Sequence, residues 1–78
     1  MSRSAVKELE ELPNIVIERV REKIRSLSYD PRQPGSKKLQ GRQEHRVRVG
    51  EYRILYIIDD SEHVVDITAI SQRGDVYR

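Results

Sequence analysis

Three arginines, Arg46, Arg48 and Arg53, fall within the stretch HRVRVGEYRILY, and a fourth, Arg73, stands shortly before Tyr77 near the end of the chain. A guanidinium group is planar, permanently charged and able to grip two oxygens of one phosphate. A tyrosine held among such cations is a candidate for proton transfer, because neighbouring positive charge lowers the pKa of a phenol. The alternative for Tyr77 is a ring packed as a C-terminal anchor. Lys37, Lys38 and Arg42 lie just upstream, either as further phosphate contacts or as solvated loop cations.

Whether these groups form a site depends on the elements that carry them. From Glu44 onward the apolar residues recur with a period of two, in EHRVRV, YRILYIID and HVVDITAI, which predicts three strands. Short connections at Gly50-Glu51 and Asp59–Glu62 predict an antiparallel meander. A two-residue turn at Gly50-Glu51 pairs Val49 with Tyr52, Arg48 with Arg53 and Val47 with Ile54. An even-length second loop pairs Ile58 with His63, Tyr56 with Val65, Ile54 with Ile67 and Arg53 with Thr68. Directly opposite residues share a face. Val47, Val49, Tyr52, Ile54, Tyr56, Ile58, Val65, Ile67 and Ala69 are therefore expected on a core face. Arg46, Arg48, Arg53, Leu55, Ile57, Val64, Asp66 and Thr68 are expected on the other.

Like charges directly opposite one another destabilise a strand pair. The expected Arg48–Arg53 pair is relieved either by Asp66, Glu44 and Asp75 or by an anionic ligand. The end of the last strand near Ile70 lies beside the start of the one before it, which brings Arg73 and Tyr77 toward Arg53. His45 is expected on the core face and is the weaker candidate for a catalytic base; His63 lies at the far turn.

The N-terminal half is expected to cover the core face. Ser4 is a candidate helix cap, followed by Ala5, Leu9 and Leu12 at helical spacing. Pro13 interrupts, and a second helix over Asn14–Ser28 has Val16, Val20, Ile24 and Leu27 as its apolar stripe. Its mixed charges are expected to face solvent. Tyr29–Gly41, punctuated by Pro and Gly, is expected to be a linker. The fold class is thus α+β: an N-terminal helical hairpin packed on a small antiparallel sheet, all 78 residues forming one domain.

Composition narrows the function classes. With 36% hydrophobic residues, 36% charged, and neither Trp nor Phe, the core is small. No cysteine is present, so disulfides and thiolate metal sites are ruled out, and two histidines are too few for a metal cluster. No apolar run approaches the roughly 20 residues of a membrane span, and no signal-peptide core is visible, which predicts a cytoplasmic protein. The net charge of +2 is unevenly placed. Residues 32–53 carry seven basic and two acidic groups, whereas residues 1–31 balance and residues 54–78 are net acidic. That pattern suggests a local anion site.

SAVKELEELP at the N-terminus, DPRQPGSKKLQG before the sheet, HRVRVGEYRILYIIDD in the central hairpin and ISQRGDVYR at the C-terminus together resemble the RelE/ParE superfamily of toxins from type II toxin–antitoxin systems. The resemblance implies a toxin neutralised by a cognate antitoxin. Its RelE-like branch cleaves mRNA on the ribosome without a cofactor; its ParE-like branch inhibits DNA gyrase without nuclease chemistry. The residues favour the first branch. Arg46 and Arg48 stand where it has two basic residues on a strand, Arg53 at its arginine after the hairpin turn, and Arg73 and Tyr77 at its C-terminal pair. The resemblance implies charge stabilisation by Arg46, Arg48 and Arg53, phosphate binding or leaving-group protonation by Arg73, and a base or stacking role for Tyr77. Lys37, Lys38 and Arg42 would add RNA contacts. The family usually opens with a strand before its first helix. That strand is not visible here, which predicts a bare sheet edge open to strand addition by a partner or a second copy. An inactive remnant is the third reading.

Overall fold

Ser2 starts the first helix. Its backbone is extended (φ −67°, ψ 161°) and its hydroxyl accepts the Ala5 N–H, which satisfies one of the donors that a helix N-terminus leaves open. The cap is therefore Ser2 and not Ser4, and α1 runs Arg3–Glu10. Pro13, with φ −57° and no N–H to lose, is the N-cap of α2, Asn14–Tyr29. The Pro13 carbonyl accepts from Val16 and Ile17, and the α2 terminus closes where Asp30 N–H bonds to Ser26 just before Pro31. The computed structural model describes residues 1–72.

The sheet has four strands in the order β1 (Lys37–Lys38), β2 (His45–Val49), β3 (Tyr52–Asp59) and β4 (Val64–Gln72), each antiparallel to its neighbour. The class is α+β as expected, but three strands become four. β1 lies inside the stretch read as a linker, pairing Lys37 with Arg46 and Lys38 with His45. Two consecutive lysines carry no strand signal of their own; they suit a short edge strand, where charge discourages further pairing.

The β2–β3 register is the expected one, with Val49 opposite Tyr52, Arg48 opposite Arg53 and Val47 opposite Ile54. Gly50 has φ 59°, a left-handed conformation that a two-residue hairpin turn requires of its first residue. The β3–β4 register differs from expectation. His63 is not paired with Ile58 but sits in the turn at φ 55°, so that Asp59 pairs with Val64 and Ile58 with Val65. The Asp59 carboxylate fixes this turn by accepting from Ser61 Oγ and Glu62 N–H.

A bulge then falls between Ile67 and Ala69: Tyr56 pairs with Ile67 and Leu55 with Ala69. The extra residue reverses the facing beyond it. Ile70, opposite Ile54, therefore enters the core in place of Ala69, and Ser71 stands opposite Arg53 in place of Thr68. The Thr68 hydroxyl, at the bulge, donates to the Leu55 carbonyl.

The core joins Ala5 and Leu9 of α1, Val20 and Leu27 of α2, and Val47, Ile54, Tyr56, Ile67 and Ile70 of the sheet. Val16 and Ile24 pack against it, as the helical stripe predicts, and so does Ile17, which the stripe does not include. Leu55 is also buried, but from the opposite face, between Arg46 on β2 and Ala69 on β4. α1 seals part of the β4 edge. Ser2 N–H donates to the Ile67 carbonyl, Ser2 Oγ to the Thr68 carbonyl, and the Glu8 carboxylate accepts the Ile70 N–H at 2.9 Å. The edge expected to be bare is thus partly satisfied by helix groups.

Candidate functional site

On the face of the sheet away from the helices, the register lays out two rows. Lys37, Arg46, Leu55 and Ala69 follow one another across the four strands, and Arg48, Arg53 and Ser71 form the row beside them. The expected convergence of the arginines on this face therefore survives the register change in β4, because it is set by the β2–β3 pairing alone. Lys37 joins them through the strand that the sequence did not announce.

A cleft of about 430 Å³ opens here, lined by Lys37, Lys38, Leu39, Gln40, Arg46 and Arg53. Among the described residues its lining contains four cationic side chains and no acidic one. Arg46 and Arg53 are half-buried, so their charges are less screened than those of exposed side chains. Arg48 is exposed and stands opposite Arg53 without lining the cleft.

The loop after β1 is held firmly. Leu39 N–H donates to the Glu44 carbonyl, Arg42 N–H to the Leu39 carbonyl, and Lys38 Nζ to the Arg42 carbonyl at 2.8 Å. Arg42 grips Glu44 through Nε at 3.1 Å and Nη2 at 2.9 Å, and this hydrogen bond holds the Glu44 carboxyl below its ordinary pKa. The guanidinium of Arg42 thus serves the loop and lies outside the cleft lining. Of the acids considered as counter-charges, Glu44 is bound by Arg42, and Asp66 lies 3.1 Å from the Met1 amino group. Asp75, Arg73 and Tyr77 lie outside the described residues.

His45 is on the core face, as expected, with its ring stacked on Tyr56 at a centroid distance of 5.6 Å. Burial pushes its pKa down, and the charges of Arg32 and Lys38 add to this. Its Nδ1 is buried with no hydrogen-bond partner among the described residues. Tyr56 is 0% exposed and donates to the Pro31 carbonyl at 2.7 Å; burial raises its pKa. The β2 pleat directs His45 away from Arg46 and the cleft. At the far end of the sheet Arg32 makes a two-pronged ion pair with Asp60, beside His63.

The family model for the ParE toxin of type II toxin–antitoxin system, parDE, matches residues 1–77. The chain is a RelE/ParE-superfamily toxin. It is 30% identical over 77 residues to a Methanocaldococcus jannaschii protein that bears the name toxin RelE1, covering 94% of this chain and 86% of that one. Toxin RelE of Mycobacterium tuberculosis shares 47% identity over 34 residues, 44% of this chain and 35% of that toxin. The fold also matches a chain of the RelBE2 toxin–antitoxin complex of Mycobacterium tuberculosis, with TM-score 0.83, 31% identity, and coverage of 92% of this chain and 91% of that one.

In this toxin, the sequence alone does not announce three residues of the cationic face, Leu39, Gln40 and Ser71. Leu39 and Gln40 line the cleft because the β1–β2 connection folds back on itself, a turn that only Gly41 signals, with φ 72°. Ser71, whose Oγ is buried without a hydrogen-bond partner among the described residues, faces Arg53 because of the bulge.

Proposed function

We propose that this toxin is a ribosome-dependent mRNA endoribonuclease that uses no metal and whose phosphate site is the cleft between β1 and β3. The observation that carries the reading is the gathering of Arg46 and Arg53 with Lys37 and Lys38 around one cleft. Such a lining suits any polyanion, RNA and acidic peptide alike, so the family relation to RelE toxins supplies the substrate class.

The chemistry needs little from the protein beyond charge and position. The RNA 2′-oxygen attacks the adjacent phosphorus, the bond from phosphorus to the 5′-oxygen breaks, and a 2′,3′-cyclic phosphate and a 5′-hydroxyl result. One proton leaves the 2′-hydroxyl and one reaches the departing 5′-oxygen. Arg46 and Arg53 stabilise the charge that accumulates on the phosphoryl oxygens in the transition state. Arg48, beside Arg53, adds to the field. Arg73 is assigned to the phosphate or the leaving oxygen and Tyr77 to the 2′-hydroxyl or to stacking on a base. The last described residue, Gln72, is opposite Tyr52 and next to the Arg53–Ser71 pair. Lys37 and Lys38 bind flanking RNA phosphate; Arg42 contributes through the loop it braces.

The natural partners are a cognate antitoxin, the ribosome and its mRNA, in the cytoplasm, with the whole chain acting as one toxin domain. The structural relative is part of a toxin–antitoxin complex, which supports the first of these. The test is induced expression without antitoxin, followed by mapping of mRNA 5′ ends. New ends within translated regions, abolished by Arg53→Ala with Arg73→Ala, are expected. Full cleavage by the double variant overturns the site.

The name of the matching family model favours a second reading, a ParE-like inhibitor of DNA gyrase. A DNA-damage response with intact mRNA selects it.

A further inference from the structure

Of the described residues around the cleft, four are cations, which suit a phosphate. Leu39 has no polar side-chain atom, and the Gln40 amide carries an acceptor as well as donors, which a phosphate alone does not use. They sit side by side on the braced loop, an apolar side chain next to an exposed neutral amide, at the rim of a cavity of about 430 Å³. That volume is within the range of small-molecule sites and holds little more than one nucleotide unit.

We propose that Leu39 and Gln40 form a nucleobase subsite that favours adenine, so that the cleft takes one adenine-bearing nucleotide of a single-stranded RNA with its phosphate on Arg46 and Arg53. The inference rests on the reading of the cleft as an RNA phosphate site and adds what selects the nucleotide. An amide presents one donor and one acceptor in a fixed geometry, which matches the N6 donor and N7 acceptor of adenine. An apolar neighbour supplies a surface for the base plane, and unstacked single-stranded bases are the ones a protein can read in this way. The loop restraints matter here. The ion pair of Arg42 with Glu44 and the bond from Lys38 to the Arg42 carbonyl restrain the loop that carries Gln40 before RNA arrives, which lowers the backbone part of the ordering cost of binding.

The test uses the purified full chain and fluorescently labelled RNA hexamers, one of uridine only and one with a single central adenine. Anisotropy is expected to give about tenfold tighter binding of the adenine hexamer. Gln40→Leu is expected to erase that preference while keeping the affinity for the uridine hexamer, and Arg53→Ala to weaken both hexamers alike. Equal affinities in the unmodified chain, no binding of either hexamer, or a preference that survives Gln40→Leu overturns the proposal. mRNA mapping judges the nuclease reading separately: an adenine preference without cleavage sinks the nuclease and keeps the subsite, and cleavage without an adenine preference does the reverse.

Discussion

The His45 ring lies on the Tyr56 ring at 5.6 Å, with 25° between their planes, and this stack ties the start of β2 to the linker that Tyr56 holds through Pro31. Protonation of His45 works against the stack, because the site is desolvated and faces the charges of Arg32 and Lys38, with Asp60 giving only minor relief. Its folded-state pKa lies below the ordinary value of about 6.5, so the unfolded chain takes up the proton first. The resulting stability is fully present above about pH 6.5 and declines as the pH falls below it, by at most about 1.4 kcal/mol per pH unit. Urea unfolding from pH 7.5 to 5.5 measures the slope. His45→Phe is expected to flatten it.

A lower window belongs to the carboxylates. Glu44, held down by Arg42, and Asp60, held down by Arg32, both have depressed pKa values. Their stabilisation is present above about pH 4.5 and is lost as the pH falls further. A stability profile with two separate declines is the expected outcome, and Glu44→Gln should reduce only the lower one.

Tyr56→Phe keeps the ring but leaves the Pro31 carbonyl without its donor. A loss of about 1–2 kcal/mol is expected in denaturant unfolding. Tyr56→Ala also empties a fully buried site and should cost about 3–5 kcal/mol.

The bulge makes a sharp prediction about neighbours. Ile70→Ala removes a core side chain and is expected to cost about 2–4 kcal/mol, whereas Ala69→Ser, on the Leu55 face, should cost well under 1 kcal/mol. Comparable losses for the two would contradict the register.

At the cleft, Arg53→Ala is expected to lower mRNA cleavage by roughly 100-fold or more, in line with removal of one transition-state charge donor. Arg48→Ala should lower it less, because Arg48 is exposed and outside the lining. Melting temperature measured in parallel separates lost chemistry from lost folding.

Much of this arrangement is legible in the sequence for a physical reason. The β2–β3 register follows from a two-residue glycine turn and strict alternation, so the Arg48–Arg53 pair can be derived before any coordinates are seen. The helical stripe through Val20 and Leu27 is equally plain. The rest depends on single residues without a composition signal. Lys37 and Lys38 do not read as a strand, since their pairing comes from β2 and not from their own propensity. His63 in a left-handed turn and Thr68 in a bulge each change the register of β4, and no periodicity marks either one. Ser2 and Glu8 act on a strand more than 60 residues away, beyond the reach of any local pattern.

That last connection bears on when the toxin becomes dangerous during its own synthesis. Ser2 and Glu8 leave the ribosome more than 60 residues ahead of their partners Ile67, Thr68 and Ile70. α1 cannot dock until β4 has emerged, because Ala5 and Leu9 are buried in a core that includes Ile67 and Ile70. The cationic face is assembled on the same sheet. A nascent chain is therefore expected to stay unfolded and inert until β4 has emerged. Protease protection of stalled nascent chains should switch on only once Ile70 has cleared the exit tunnel, which leaves an antitoxin already present the first opportunity to bind.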